Sequence, residues 1–350
     1  MPSDPRSSRT EPPLVLTPDA EYEGAPDLEE QVFAGSVRLA TYRAHLADEI
    51  PERIWGECEG MLAWHNIQID ETLIPRLSRC RIIVRVGAGF DNMALEPCGR
   101  AGIAICNVPD YGVNEVSDHA IALMLALDRA ILRYHEAIVA DPVGGWVVPK
   151  VASIRRLPGM TFGVVGMGRI GTAAARKAAA FGLRVLFYDP HLPTGTELAL
   201  GYARADSLES LLAQADIVSL HTPLTPQTQG LIGRAALARM KPDAVLINTA
   251  RGAVVDVEAL AEALESGRLG GAGIDVLPEE PPLPSSRLVA AVCRREPWTI
   301  GRVILTPHAA WYSRESAVDV RRKAALTARD FLRDGKLRDC VNREFLRPGR

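Results

Sequence analysis

Between Gly163 and Gly171 the chain reads GVVGMGRIG, a G-x-G-x-x-G pattern on Gly166, Gly168 and Gly171. Glycines are common turn residues, so the pattern alone is weak, and its flanks decide what it means. TFGVVG before it is β-branched and apolar, as a buried strand is. RIGTAAARKAAAFG after it is an alanine-rich helix that closes on Gly182, a suitable C-cap. LRVLFYD then reads as a second strand and ends on Asp189, near the ~20 residues at which a ribose-binding acid is expected. A strand, a glycine turn, a helix and an acid in that order predict a βαβ unit that binds a dinucleotide. Gly166 would allow the tight turn, Gly168 the approach of a pyrophosphate, and Gly171 close helix–strand packing. The helix N-terminus would offer N–H groups and a positive dipole end to the phosphates. The competing reading, a plain βαβ turn with an incidental aspartate, requires all four features to coincide.

The same alternation runs through the chain. PLVLTP, SVRLATY, GMLAW, CRIIVRVG and GIAICNV read as short strands in the first part. DIVSLHTP, AVLINTA, GAGIDV and RVILTPH read as buried strands after the glycine loop. VNEVSDHAIALMLALDRAILRYHEAI, from Val113, has helical spacing and enough length to carry the chain from one domain to another. A last helix, RESAVDVRRKAALTARDFLRDG, could return to the first domain. Strands alternating with helices predict parallel α/β sheets, and 350 residues suit about two domains.

Composition removes several classes. A formal net charge of −3 implies no broad basic field, so nucleic acid and anionic membrane are not expected partners. Six scattered cysteines without a C-x-x-C pair read as reduced thiols of a cytoplasmic protein, and no metal site is expected. The N-terminal MPSDPRSSRTEPP is polar and proline-rich, which predicts disorder and no signal peptide. ADPVGGWVVP reads as a loop, and AIALMLAL is too short to span a bilayer.

Three polar residues stand just past apolar strands: Arg251 after VLINTA, Glu280 after GIDVLPE, and His308 after VILTP. Singly, each has an ordinary alternative as a surface ion pair, an acidic loop or a cap. Together, at strand ends that line the ligand crevice of a doubly wound sheet, they predict a catalytic group.

VRVGAGFDN, GMGRIG, NTARGAVVDVEAL, GAGIDVLPEEPP and LTPHAAWYS, in this order, resemble the blocks of the D-isomer-specific 2-hydroxyacid dehydrogenase family. HAAWYS is similar to the C-terminal-binding-protein branch, which includes transcriptional corepressors that sense dinucleotide. The resemblance implies two Rossmann-like, doubly wound parallel-sheet domains. An NAD-binding domain (110–319) would be inserted into a discontinuous, flavodoxin-like substrate domain (1–109 and 320–350). It implies a homodimer held through the NAD-binding domain, and a reaction that interconverts a 2-ketoacid and a D-2-hydroxyacid. The alternative it leaves is an NAD(H)-sensing, corepressor-like binding protein. A formate dehydrogenase fits less well, because that branch has glutamine where Glu280 stands.

Residue by residue, the resemblance gives Arg251 the substrate carboxylate and keto oxygen. His308 becomes the proton donor, and Glu280, rather than Glu279, the partner that favours its protonated form. Arg169 and Ile170 would lie under the pyrophosphate, with Thr222, Pro223 and Thr228 on the adenosine side. Thr249, Ala250 and Asp275 would face the nicotinamide. Arg85, Ala88 and Gly89 would meet the substrate carboxylate, and Tyr111 and Trp311 its side chain. The segment Pro284–Arg302 is longer than in much of the family, which puts the loop between Glu280 and His308 in question.

Overall fold

The computed structural model describes residues 11–147 and 154–346. The disorder expected for residues 1–10, and the part of the ADPVGGWVVP loop beyond 147, lie outside the described residues. The chain divides into two compact units. Unit 1 is Met1–Gly112 with Ser313–Arg350, and unit 2 is Val113–Tyr312.

Unit 1 holds β1 (Leu14–Thr17), β2 (Arg38–Thr41), β3 (Cys58–Ala63), β4 (Ile82–Arg85) and β5 (Ala104–Cys106). They form one sheet of order β2-β1-β3-β4-β5, with every pairing parallel. This is the flavodoxin-like order. β4 reads IIVR and is buried along its length, as a strand covered on both faces must be. The last helix, Arg314–Asp334, begins at a Ser313 cap whose hydroxyl accepts the Ser316 N–H, and ends at left-handed Gly335. It is fixed to the Asp27–Phe33 helix by Arg321, which donates to both oxygens of Glu29.

Unit 2 holds β6 (Thr161–Val165), β7 (Arg184–Tyr188), β8 (Ala203–Arg204), β9 (Ile217–Leu220), β10 (Val245–Asn248), β11 (Gly271–Ile274) and β12 (Val303–Leu305). The sheet order is β12-β11-β10-β9-β6-β7-β8, again parallel throughout. The two-sheet parallel α/β architecture is the one the strand pattern predicts. β8 was not foreseen, since two residues carry no periodicity.

The segment from Val113 is two helices, Val113–Asp128 and Ile131–Ala140, not one. The break is at Ala130, which takes a left-handed φ of 51° and is 2% exposed. Alanine is a strong helix former, so nothing local marks this turn; burial of Ala130 against the unit holds it.

The register of the seven strands positions the site. Tyr188 pairs with Val165, Val165 with Leu220, Leu220 with Asn248, Asn248 with Ile274, and Ile274 with Leu305. The strands therefore end in one row, and the residues that follow them emerge along a single edge. β6 and β9 are adjacent at the point where the chain order reverses, where doubly wound sheets place their ligand crevice.

Candidate active site

The glycine loop leaves β6 at this reversal point. Gly166 has φ 91°, and a Cβ there would press on the His221 carbonyl at 2.9 Å. A Cβ on Gly171 would run into the Gly166 carbonyl oxygen, whereas one on Gly168 would meet nothing within 4 Å. The loop is thus tight against its own unit and open at Gly168, as a backbone cradle for a pyrophosphate has to be. Gly168 and Arg169 are exposed and Ile170 is half-buried, so the start of the Arg169–Ala180 helix faces outward.

Asp189 stands directly past β7. Its carboxylate accepts the Met167 N–H at 2.9 Å and the His191 N–H at 2.9 Å, which joins the glycine loop to the turn after β7. Arg204 of β8 donates to the Asp189 carbonyl at 2.6 Å and to those of Leu192 and Pro193. It brings a cation to the Asp189 turn from 15 residues further along the chain.

Past β9, Thr228 donates its hydroxyl to the Pro223 carbonyl at 2.6 Å and accepts the Thr225 N–H, folding Thr222–Thr228 into a compact turn. The hydroxyls of Thr222 and Thr249 are buried without a hydrogen-bond partner among the described residues. A buried hydroxyl left unpaired is unfavourable by about 1–3 kcal/mol. Two of them, past the ends of the adjacent strands β9 and β10, fit a ligand that supplies partners. With the cradle at Gly168, they fit a dinucleotide laid along this edge.

Past β10, Asn248 shapes the turn that carries Arg251. Its amide donates to the Arg251 carbonyl at 2.9 Å, and its oxygen accepts the Ala250 N–H at 3.0 Å. Arg251 Nη1 donates to the Ala250 carbonyl at 2.8 Å. A Cβ at Gly252 would collide with the Leu277 and Pro278 backbone, so only glycine lets the Arg251 turn lie against the Glu280 loop.

Glu280 stands in that loop. One carboxylate oxygen accepts the Leu277 N–H at 2.9 Å, and the other lies 2.6 Å from His308 Nδ1. Burial pushes the Glu280 carboxyl up. The hydrogen bond and charge of His308, the Leu277 N–H and the Arg251 charge outweigh it and hold the group below its ordinary value of 4.5. Both side chains keep about 30% exposure, with His308 at 31% and Glu280 at 29%. The imidazole is therefore held at Nδ1 and remains partly exposed. The Glu280–Pro281 peptide is cis.

His308 has a left-handed φ of 52°, which few non-glycine residues adopt. Asp275 holds that turn. Its backbone carbonyl accepts the His308 N–H at 2.8 Å. Its carboxylate accepts Thr306 Oγ1 at 2.6 Å and the Ala309 and Ala310 N–H groups at 2.9 and 3.0 Å. Asp275 is 2% exposed and takes up three donors of its own unit. His119 approaches Thr306 Oγ1 at 3.0 Å from the Val113–Asp128 helix. Sequence reasoning did not single out Asn248, His119 or Arg204. Asn248 alone carried a signal, as a polar residue ending an apolar strand.

The segment Pro284–Arg302 forms its own helix, Arg287–Cys293, whose Leu288 and Ala291 are buried. Arg302 closes it onto unit 2 by donating to the Gly270 carbonyl at 3.0 Å and to that of Leu269. The insertion is absorbed as packed structure, and the Glu280–His308 contact stands. Trp311 is half-buried and meets Tyr312 edge-on, with ring centroids 5.7 Å apart.

The expected residues of unit 1 lie past β4. Arg85 turns back on its loop and donates to the Val86 carbonyl. The Ala88 carbonyl accepts from Asn107 at 2.6 Å, and Gly89 is half-exposed. Tyr111 is half-buried just before the chain passes into unit 2.

Residues 121–310 match the model of "D-isomer specific 2-hydroxyacid dehydrogenase, NAD binding domain". Among curated proteins, the chain is 34% identical over 294 residues to D-3-phosphoglycerate dehydrogenase of Methanocaldococcus jannaschii, covering 84% of this chain and 52% of that protein. It is 34% identical over 340 residues to D-3-phosphoglycerate dehydrogenase of Synechocystis, covering 95% and 57%. The chain thus spans about half the length of the curated relatives it matches. Among solved structures, D-lactate dehydrogenase from Aquifex aeolicus, complexed with NAD and lactic acid, superimposes with a TM-score of 0.83 at 27% identity, covering 94% of this chain and 99% of that one.

Proposed function

The chain belongs to the D-isomer-specific 2-hydroxyacid dehydrogenase family, and from that premise we propose that it interconverts a 2-ketoacid and a D-2-hydroxyacid with NAD(H), using His308 as acid and base. The observation that carries the reading is the Glu280–His308 pair, 2.6 Å apart on the sheet edge that also presents Arg251 and the glycine cradle.

Gly166, Gly168, Arg169, Ile170 and Gly171 would hold the pyrophosphate, Asp189 the adenosine ribose, and Thr222 and Thr249 the remainder. Bound NAD(H) supplies or accepts the hydride. Arg251 would bind the substrate carboxylate and polarise the keto oxygen. His308 would deliver a proton to that oxygen in reduction and take it back in oxidation, with Glu280 keeping Nδ1 occupied so that Nε2 faces the substrate. Arg85 and the Ala88 and Gly89 N–H groups of unit 1 would offer donors to a substrate carboxylate, and Tyr111 and Trp311 would meet its side chain. On this reading unit 1 is the substrate domain.

Homodimerisation through unit 2 forms part of the reading. Ile131, Leu132, Ile138, Val139, Val143, Trp146 and Val147 all expose large apolar surface on or just after the Ile131–Ala140 helix. Among the described residues no helix is long and apolar enough to cross a membrane; the scattered cysteines support a cytoplasmic setting, and the charge balance an absence of nucleic acid from the partners. The HAAWYS block supports kinship with the C-terminal-binding-protein branch. A panel of 2-ketoacids of graded size, with NADH oxidation as readout, tests the proposal. Turnover of at least one, largely lost in His308→Gln, is expected. NADH binding without turnover of any member would leave the dinucleotide-sensing alternative.

A further inference from the structure

Cys106 is the last residue of β5, and Cys340 lies in the segment that follows the last helix. They are partners in an antiparallel bridge, both within unit 1. The Val341 N–H donates to the Ile105 carbonyl at 2.9 Å, and the Asn107 N–H to the Asp339 carbonyl at 3.2 Å. These bonds flank the cysteines rather than join them, so the two form a non-hydrogen-bonded pair. Such pairs hold their Cα atoms about 4.5 Å apart with side chains on one face. A disulfide needs a Cα separation of roughly 4.4–6.8 Å. Both thiols are free in this structure, Cys106 buried and Cys340 partly exposed.

We propose that Cys106 and Cys340 form a reversible disulfide that ties the C-terminal segment to the edge of the unit 1 sheet. The oxidant is a low-molecular-weight disulfide. Cys340, the sulfur that solvent reaches, attacks it as thiolate, forms a mixed disulfide and expels one small thiol. The Cys106 sulfur, losing its proton, then attacks Cys340 Sγ, forms the Cys106–Cys340 bond and expels the second. Two protein thiols are oxidised and one small disulfide is reduced to two thiols.

The surroundings support this order of events. Cys340 Sγ lies 3.4 Å from Asn342 Oδ1, and the neighbouring Cys106 thiol draws the Cys340 thiol down to about 6 against its partial burial, with help from the Asn342 N–H and the Arg343 charge, while Glu344 opposes. The neighbouring Cys340, burial and the Asp339 charge push Cys106 up, with Arg343 opposing. Cys340 is thus the nucleophile toward solvent, and Cys106 the sulfur that waits behind it. Asn342 keeps the pair in register. It is 0% exposed, accepts the Ile105 N–H at 2.8 Å, and donates to the carbonyls of Ile103 and Leu95. Cys58 and Cys80 are also neighbours, but both are buried. The cross-link would enclose the whole of unit 2 in a covalent ring.

The test is incubation of the full chain with oxidised glutathione at graded ratios to reduced glutathione, followed by thiol blocking and peptide mapping without reductant. A peptide joining Cys106 to Cys340, lost on reduction, is expected, together with a glutathione adduct that accumulates on Cys340 in Cys106→Ser. The proposal falls if wild-type Cys340 stops at the glutathione adduct, stays a free thiol, or if Cys58–Cys80 forms in place of the expected link. The wild-type map decides the matter even if Cys106→Ser does not fold.

Discussion

Glu280 receives His308 Nδ1 on one carboxylate oxygen at 2.6 Å and the Leu277 N–H on the other at 2.9 Å, so the acid is itself held while it holds the imidazole. Its carboxyl lies below the ordinary 4.5, and the carboxylate persists until the pH falls beneath that value. The wild-type kcat should therefore lose an acid limb only below about pH 4.5 from this group. Glu280→Gln should lower kcat toward the ~10²-fold end of the general acid–base range and abolish that limb. A pH–rate profile of the variant that overlays the wild type would remove Glu280 from the catalytic group.

His308→Gln should lower kcat by ~10²–10⁴-fold while NADH still binds. Arg251→Ala should damage KM and kcat together, because on the proposed reading it touches the substrate in ground and transition states alike. Fluorescence titration with NADH beside steady-state kinetics separates the two. Wild-type turnover by His308→Gln would overturn its assignment as proton donor.

NADH should be preferred to NADPH. On the proposed reading the Asp189 carboxylate would meet a 2′-phosphate as like charge, and Arg204 is engaged with the carbonyls of Asp189, Leu192 and Pro193. Asp189→Ala should shift the ratio of kcat/KM values toward NADPH by about 10–100-fold, or roughly 1.4–2.8 kcal/mol. Because the same carboxylate bonds the Met167 N–H, some loss with NADH is expected as well. Equal use of both cofactors by the wild type would contradict the reading.

Asp216 should make stability depend on acid. It is 5% exposed and accepts Arg155 at 2.7 Å, Lys241 at 3.0 Å and the Thr161 N–H at 2.8 Å. Burial pushes its carboxyl up, but these three partners hold it below the ordinary 3.8. A depressed native value means that its contribution is complete above about pH 4 and lost as the pH falls further. Asp216→Asn should cost about 2–4 kcal/mol near neutrality, and the gap from wild type should narrow below pH 4. Denaturant midpoints at several pH values read this directly, and a gap independent of pH would refute it.

Trp311→Ala should reorder the 2-ketoacid panel by side-chain size more than it changes NADH affinity. Trp311 sits three residues beyond His308, on the loop that Asp275 anchors. An unchanged ranking would mean that its ring serves packing rather than substrate choice.

Most of the parallel architecture was legible because buried strands write themselves as apolar β-branched runs, and LINT, GIDV and VILT each announce a strand with its polar continuation. Arg251, Glu280 and His308 were found in the same way, since titratable residues past apolar strands are conspicuous. What the sequence could not express was contact between distant segments. Arg204 reaches the Asp189 turn through a two-residue strand with no pattern of its own. The turn at Ala130 is set by burial against a strong helix propensity. Cys106 and Cys340, read from spacing as scattered thiols, are opposed only because the chain returns to β5 after the whole of unit 2.

That return, at Ser313, also sets an order of events at the ribosome. A nascent chain that has emerged as far as Tyr312 contains every strand of both sheets and all of unit 2. Unit 1 at that moment still lacks the Arg314–Asp334 helix, the Arg321 clasp on Glu29 and the Asn342 plug beside β5. Unit 2 can complete its core during translation, whereas the five strands of unit 1 wait for the Arg314–Asp334 helix to emerge. Exposure of the unit 1 strands to aggregation and to chaperones therefore lasts as long as translation of the inserted unit.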